Sequence, residues 1–110
     1  METISYKLPD FEGPLDLLLF LVQKNKLNIY DIPIAQVLEQ YLAAIQQMKD
    51  YNMDVATEFL EMAARLVHIK SVMLLPRYEE ETEELRRELS GQLIEYQLCQ
   101  QMARRLAVDY

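Results

Sequence analysis

Between Asp54 and Leu75 the chain carries a helical pattern with more apolar surface than one helix of a small domain needs. At 100° per residue, Val55, Phe59, Met62, Leu66, Ile69 and Met73 fall on one line. Ala56, Leu60, Ala63, Val67 and Leu74 fall on a second line beside it. Together the two lines cover about half of the circumference, whereas a surface helix usually shows a stripe of about 100°. Thr57, Glu58, Glu61, Arg65 and His68 form the polar wedge that remains. Such a helix is either the centre of its own domain or half of an interface that a second chain completes.

The flanking sequence supplies three more helical segments. Gly13-Pro14 opens the first, with proline where the missing N–H costs nothing and Asp16 in the first turn, where its charge suits the helix dipole. This segment spans Pro14 to Lys24 and is apolar all round from Leu17 to Val22, the pattern of a central helix. A polar connection, Lys24 to Asn28, leads to a second helix that begins near Asp31 and Pro33 and reaches about Lys49. Ile32, pushed out of helical geometry by the proline after it, is its candidate cap. Ile34, Val37, Leu38, Tyr41, Leu42, Ile45 and Met48 make its buried stripe; Gln36, Glu39, Gln40, Gln46 and Gln47 face away. Asp54 is placed to cap the third helix and Pro76 to end it. A fourth helix follows from about Thr82 to Val108, behind a run of five glutamates between Glu79 and Glu84. One of its faces holds Leu85, Leu89, Tyr96, Cys99, Ala103 and Ala107. Nearly opposite lie Ile94, Leu98 and Met102, and Ser90-Gly91 is a weak point between. Ahead of all this, Ile4, Tyr6 and Leu8 alternate with Ser5 and Lys7 as in a short extended arm. The fold class predicted is all-α: a small helical bundle with an extended N-terminal arm and a long fourth helix, within one domain of 110 residues.

Composition narrows the function. A net charge of −7 argues against direct binding of nucleic acid, which needs lysine and arginine against phosphate. The single cysteine excludes an internal disulfide and fits a reducing compartment. No signal pattern opens the chain, and the longest apolar run, Leu17 to Val22, is far too short to cross a bilayer. A soluble cytoplasmic protein is the expectation, with no membrane partner. One histidine and one cysteine, far apart, offer no metal-ligand spacing and no nucleophile–base pair. No glycine-rich loop holds phosphate. Neither catalysis nor a cofactor is expected.

Two features stay open on composition and spacing. Lys70 falls between the apolar lines of the third helix. Either its stem packs and its amine reaches water or an internal acid such as Glu12, Asp16 or Asp31, or it meets an acid on a partner chain. The second apolar line is core if neighbouring helices cover it and a docking face if they do not. Leu60, Val67 and Leu74 follow a heptad, which suits a helix or coiled coil as the other half. Each large side chain there stabilises a contact by roughly 1.5–3 kcal/mol when buried.

Four ordered blocks then carry a family. Phe11-Glu12-Gly13-Pro14-Leu15-Asp16-Leu17-Leu18-Leu19 resembles the opening motif of the bacterial segregation and condensation protein A (ScpA) family, the kleisins of the bacterial SMC complex. Asn28 to Ile34 with Gln40-Tyr41-Leu42, then Asp54 to Leu60, then Ile69 to Pro76, are similar to its second, third and fourth motifs. After Pro76 the resemblance is one of style only, acidic residues followed by a helix. The resemblance implies a non-catalytic subunit for chromosome segregation and condensation, associated with the nucleoid and reaching DNA only through its complex. Its N-terminal helical domain, residues 1–78, docks on the coiled-coil neck of an SMC ATPase. Residues 79–110 begin the middle region that wraps a ScpB dimer. Onto this frame the helical wheel sets Leu60, Ala63, Ala64, Val67, Lys70, Ser71 and Leu74 as the SMC-neck surface, and Ile94, Leu98 and Met102 as a ScpB contact. Val55, Phe59, Met62, Leu66, Ile69 and Met73 then face the first two helices. A self-associating helical module, with the excess apolar surface covered by a second copy, is the rival reading.

Overall fold

The computed structural model describes residues 11–47, 53–75 and 79–109, with side chains throughout except at 53–56 and 108–109. Four helices follow in order: α1 (Pro14–Lys24), α2 (Ile34–Gln47), α3 (Met53–Met73) and α4 (Glu79–Asp109). Among the described residues there is no strand, so the all-α expectation holds. The arm expected at Ile4 to Leu8, Met48, Pro76 and the side chains of Asp54 and Val55 lie outside the described residues.

α1 is the centre of the bundle and packs on the other three helices. Leu17, Leu18, Leu19, Leu21 and Val22 are all buried, as a helix apolar on every side requires. Pro14 starts it, and Asp16 reaches back to accept the Glu12 N–H at 3.0 Å. The helix ends in a Schellman motif: the Leu27 N–H donates to the Val22 carbonyl (2.9 Å) and the Lys26 N–H to the Gln23 carbonyl (3.2 Å). Lys26 itself takes the left-handed conformation, φ 53°. Asn25 and Gln40 exchange amide hydrogen bonds, tying this turn to the middle of α2.

α2 starts one residue later than its candidate cap. The Pro33 carbonyl, not that of Ile32, accepts the first helical bond, from the Val37 N–H at 3.1 Å, and Ile32 is buried in the core. Tyr41 is fully buried and donates its hydroxyl to the Phe59 carbonyl of α3 at 2.8 Å. Two stripe positions differ from expectation. Leu42 is exposed and Ala44 is buried. α1 packs on α2, and Leu21, Lys24 and Asn25 of its last turn border a shallow depression with Gln40, Ala43 and Ala44.

α3 buries Phe59, Met62, Ala63, Leu66, Ile69 and Val72. Met73, expected in the core, is exposed at the last turn, and Val72 takes the interior place. α4 packs on α3, where the Arg65 guanidinium donates to the Gln92 amide oxygen, and Met73 lines an open depression between the end of α3 and the start of α4. α4 is continuous through Ser90-Gly91, and Ser90 is buried together with Leu89 and Leu93. Its first half therefore folds back on α1 and α3. Beyond Gln100, residues 101–107 are exposed, including Ala103 and Ala107, which share a line with Leu85 and Leu89.

Candidate protein-docking surface

α3 is held by its inner face, which fixes what its outer face presents. Tyr41 pins it at Phe59, and Leu66 and Ile69, both fully buried, pin it farther along. The opposite side stays open: Leu60 is 57%, Val67 45% and Leu74 74% exposed. Ala64, Lys70 and Ser71 are exposed with them. Ala63 is the exception among the seven residues expected to meet an SMC neck, buried against the bundle. Leu60, Ala64, Val67, Ser71 and Leu74 recur at alternating steps of four and three, the register of a coiled-coil seam. The Ser71 hydroxyl donates back to the Val67 carbonyl at 2.9 Å. It is thus satisfied within its own helix, and the seam can be covered without stranding a polar group.

Lys70 borders this seam, exposed. The internal acids considered for it are engaged elsewhere: Glu12 accepts from the Tyr96 hydroxyl (3.0 Å), Asp16 from the Gln100 amide (3.2 Å), and Asp31 pairs with Arg86. No carboxylate among the described residues pairs with Lys70.

A second apolar ribbon runs along α4. Ile94 is half-buried, Leu98 is 54% and Met102 63% exposed. Leu106, at 64%, extends it by one turn and was missed in the sequence, although it continues the same four-residue step. The root of this ribbon is fixed by a polar cluster. Tyr96 and Gln100 of α4 hold Glu12 and Asp16 at the start of α1, and the Gln100 amide also donates to the Tyr96 hydroxyl at 3.1 Å. Burial, the hydrogen bond to Glu12 and the negative charges of Asp16 and Glu12 together push the Tyr96 phenol up to about 12.

The chemistry of the remaining side chains is sparse. His68 and Cys99 are exposed on different helices. Among the described residues no cluster of histidine, cysteine, aspartate and glutamate is arranged to hold a metal ion. No helix there is long and apolar enough to cross a membrane.

Comparison with known proteins agrees with the family that the motifs suggested. The family model described as segregation and condensation protein ScpA matches residues 21–109. The resemblance thus runs through α4, where the sequence offered only an acidic run and a helical pattern. The segregation and condensation protein A of Myxococcus xanthus (strain DK1622) is 46% identical over 116 residues, covering 93% of this chain and 40% of the relative. Proteins of the same name from Bacillus cereus (strain AH187) and Bacillus anthracis (strain A0248) are 46% identical over 110 residues, covering 93% of this chain and 44% of each relative. The chain spans less than half the length of these relatives.

Proposed function

The chain belongs to the segregation and condensation protein A family, and from that premise we propose that it is the SMC-docking part of a chromosome segregation and condensation subunit. Its role is non-catalytic: α3 lays its outer face along the coiled-coil neck of an SMC ATPase and completes a helical bundle with it. The observation that carries this reading is the seam from Leu60 to Leu74, apolar, exposed and in heptad register on a helix whose other face is already full. Leu60, Ala64, Val67, Ser71 and Leu74 form the contact, Lys70 meets an acid at its edge, and Ala63 supports it from beneath. In this proposal residues 1–78 carry the docking surface, walled on one side by the first half of α4, and 79–110 lead into the middle region. Ile94, Leu98 and Met102 face a ScpB dimer there. DNA is reached through the assembled complex, at the nucleoid of the cytoplasm.

Calorimetric titration with an SMC head carrying a short stub of its coiled coil tests this. One-to-one binding is expected, lost when the stub is removed. Leu60→Glu and Val67→Glu should each abolish it with helicity unchanged, because both sites are exposed. A folded Leu60→Glu chain that binds as well as the original would place the contact on another face. The rival, a self-associating module, predicts instead a dimer by light scattering and no affinity for the stub.

A further inference from the structure

The turn between α1 and α2 holds a large aromatic side chain in water. Tyr30 is 75% exposed, in a segment that is otherwise tightly fixed. Its N–H donates to the Asn28 side chain and the Asp31 N–H to the Asn28 carbonyl, each at 3.0 Å. Arg86 of α4 clamps the turn from below, donating to the Asp31 carboxylate and to the Ile32 carbonyl (3.2 Å). The same Arg86 lines a surface depression with Met73 and Leu75 at the end of α3. Tyr30 and the last turn of α3 therefore share one end of the bundle. That end also exposes Leu74 (74%) and Leu75 (49%).

The rim of this end is acidic. Glu79 and Glu83 line the depression, Glu80 and Glu84 lie beside them, and Asp31 is largely exposed. Among the described residues, Arg86, already paired, and Arg87 stand against these five carboxylates. A second copy of this chain would bring like charges together, and nucleic acid would be repelled. A basic protein surface with an apolar spot is the complement. Tyrosine in a pre-ordered turn is also the kind of residue that dominates interfaces, since little rotamer freedom is lost on contact.

We propose that the Tyr30 tip, with Leu74 and Leu75, is a second docking surface that takes a lysine- or arginine-rimmed apolar patch on the same coiled-coil protein that covers the α3 seam. The proposal rests on the docking reading above and extends it to a two-surface grip. The test is titration of the whole chain and its variants with the SMC head and adjoining coiled coil, at several salt concentrations. Tyr30→Ala should weaken binding by about tenfold, the scale of an interface anchor. The double variant Glu80→Lys, Glu84→Lys should weaken it and flatten its salt dependence. Circular dichroism should match the original for both variants. If both variants bind within twofold of the original while Leu60→Glu does not bind, the tip is no part of the interface and the α3 reading stands alone. If the original chain fails to bind, the docking reading falls and takes this one with it. If Tyr30→Ala dissolves a dimer seen by sedimentation, the tip pairs with a second copy and the proposal is overturned.

Discussion

Lys26 stands where helices usually end in glycine. Its left-handed backbone closes the Schellman motif after α1 and costs an L-residue about 1 kcal/mol or more. Lys26→Gly removes that strain but frees the unfolded chain, so the net gain should be about 0.5–1 kcal/mol, read as a higher urea midpoint at unchanged slope. Tyr41 poses the opposite case, a buried group already well placed. Its hydroxyl bonds the Phe59 carbonyl, and burial raises its ionisation well above the usual tyrosine range. Tyr41→Phe should cost about 1 kcal/mol, one net hydrogen bond. Both Tyr41 and Tyr96 hold their protons more tightly folded than unfolded. Below pH about 10 neither state has lost them, so the stability is complete there. As pH rises past that value, through the 12 or so of Tyr96, the unfolded chain ionises first and stability falls. Urea midpoints at pH 8, 10 and 11 should therefore decline for the original chain and decline less for Tyr41→Phe.

At the scale of elements, α4 divides into two halves. Leu89 and Leu93 are fully buried between α1 and α3, whereas Leu98, Met102 and Leu106 are more than half exposed. Leu93→Ala should cost roughly 2–5 kcal/mol through the cavity it leaves, and Leu98→Ala should stay within about 0.5 kcal/mol; thermal unfolding of the two variants separates them. The start of α1 was legible in the sequence through Pro14 and Asp16, and the stripe of α2 through the 3.6-residue period of Ile34, Val37, Leu38 and Tyr41, whereas α4 begins at Glu79, inside the glutamate run and ahead of the start expected near Thr82. Faces were less legible. A wheel shows which residues share a side but not which side a neighbour occupies, and both apolar lines of α3 read alike. Val72 is buried and Met73 exposed, and Ala44 is core and Leu42 surface, because tertiary packing and not the wheel chooses the covered side. The open seam from Leu60 to Leu74 is likewise a product of tertiary packing, and only its heptad spacing could be read beforehand. The Tyr30 tip left no periodic signal, because it is built from a turn and a helix end joined through Arg86.

For the whole molecule the question is how much of α4 the bundle needs. The core runs from Leu17 of α1 to Leu93 of α4 without a break, and two long-range polar contacts, Arg86 with Asp31 and Gln100 with Asp16, fasten the first two thirds of α4 to the rest. Residues 101–107 are all exposed, and none belongs to the core. A chain ending at Gln100 therefore keeps every described core contact, and its melting temperature should fall within a few degrees of the original. A chain ending at Tyr78 loses Leu89 and Leu93 and uncovers the sides of α1 and α3 against which they pack. At roughly 1.5–3 kcal/mol per buried leucine, that loss is a large part of the 5–15 kcal/mol typical of a domain. Its melting should be broad or absent, with dye-binding apolar surface exposed, as followed by circular dichroism and ANS fluorescence. A sharp transition at the original temperature from residues 1–78 would mean that α4 is an appendage. The expected result instead makes the first half of α4 a structural wall and its last turns a free ribbon. Leu98, Met102 and Leu106 are then held out on a helix about 46 Å long, where a second partner can take them without disturbing the seam on α3.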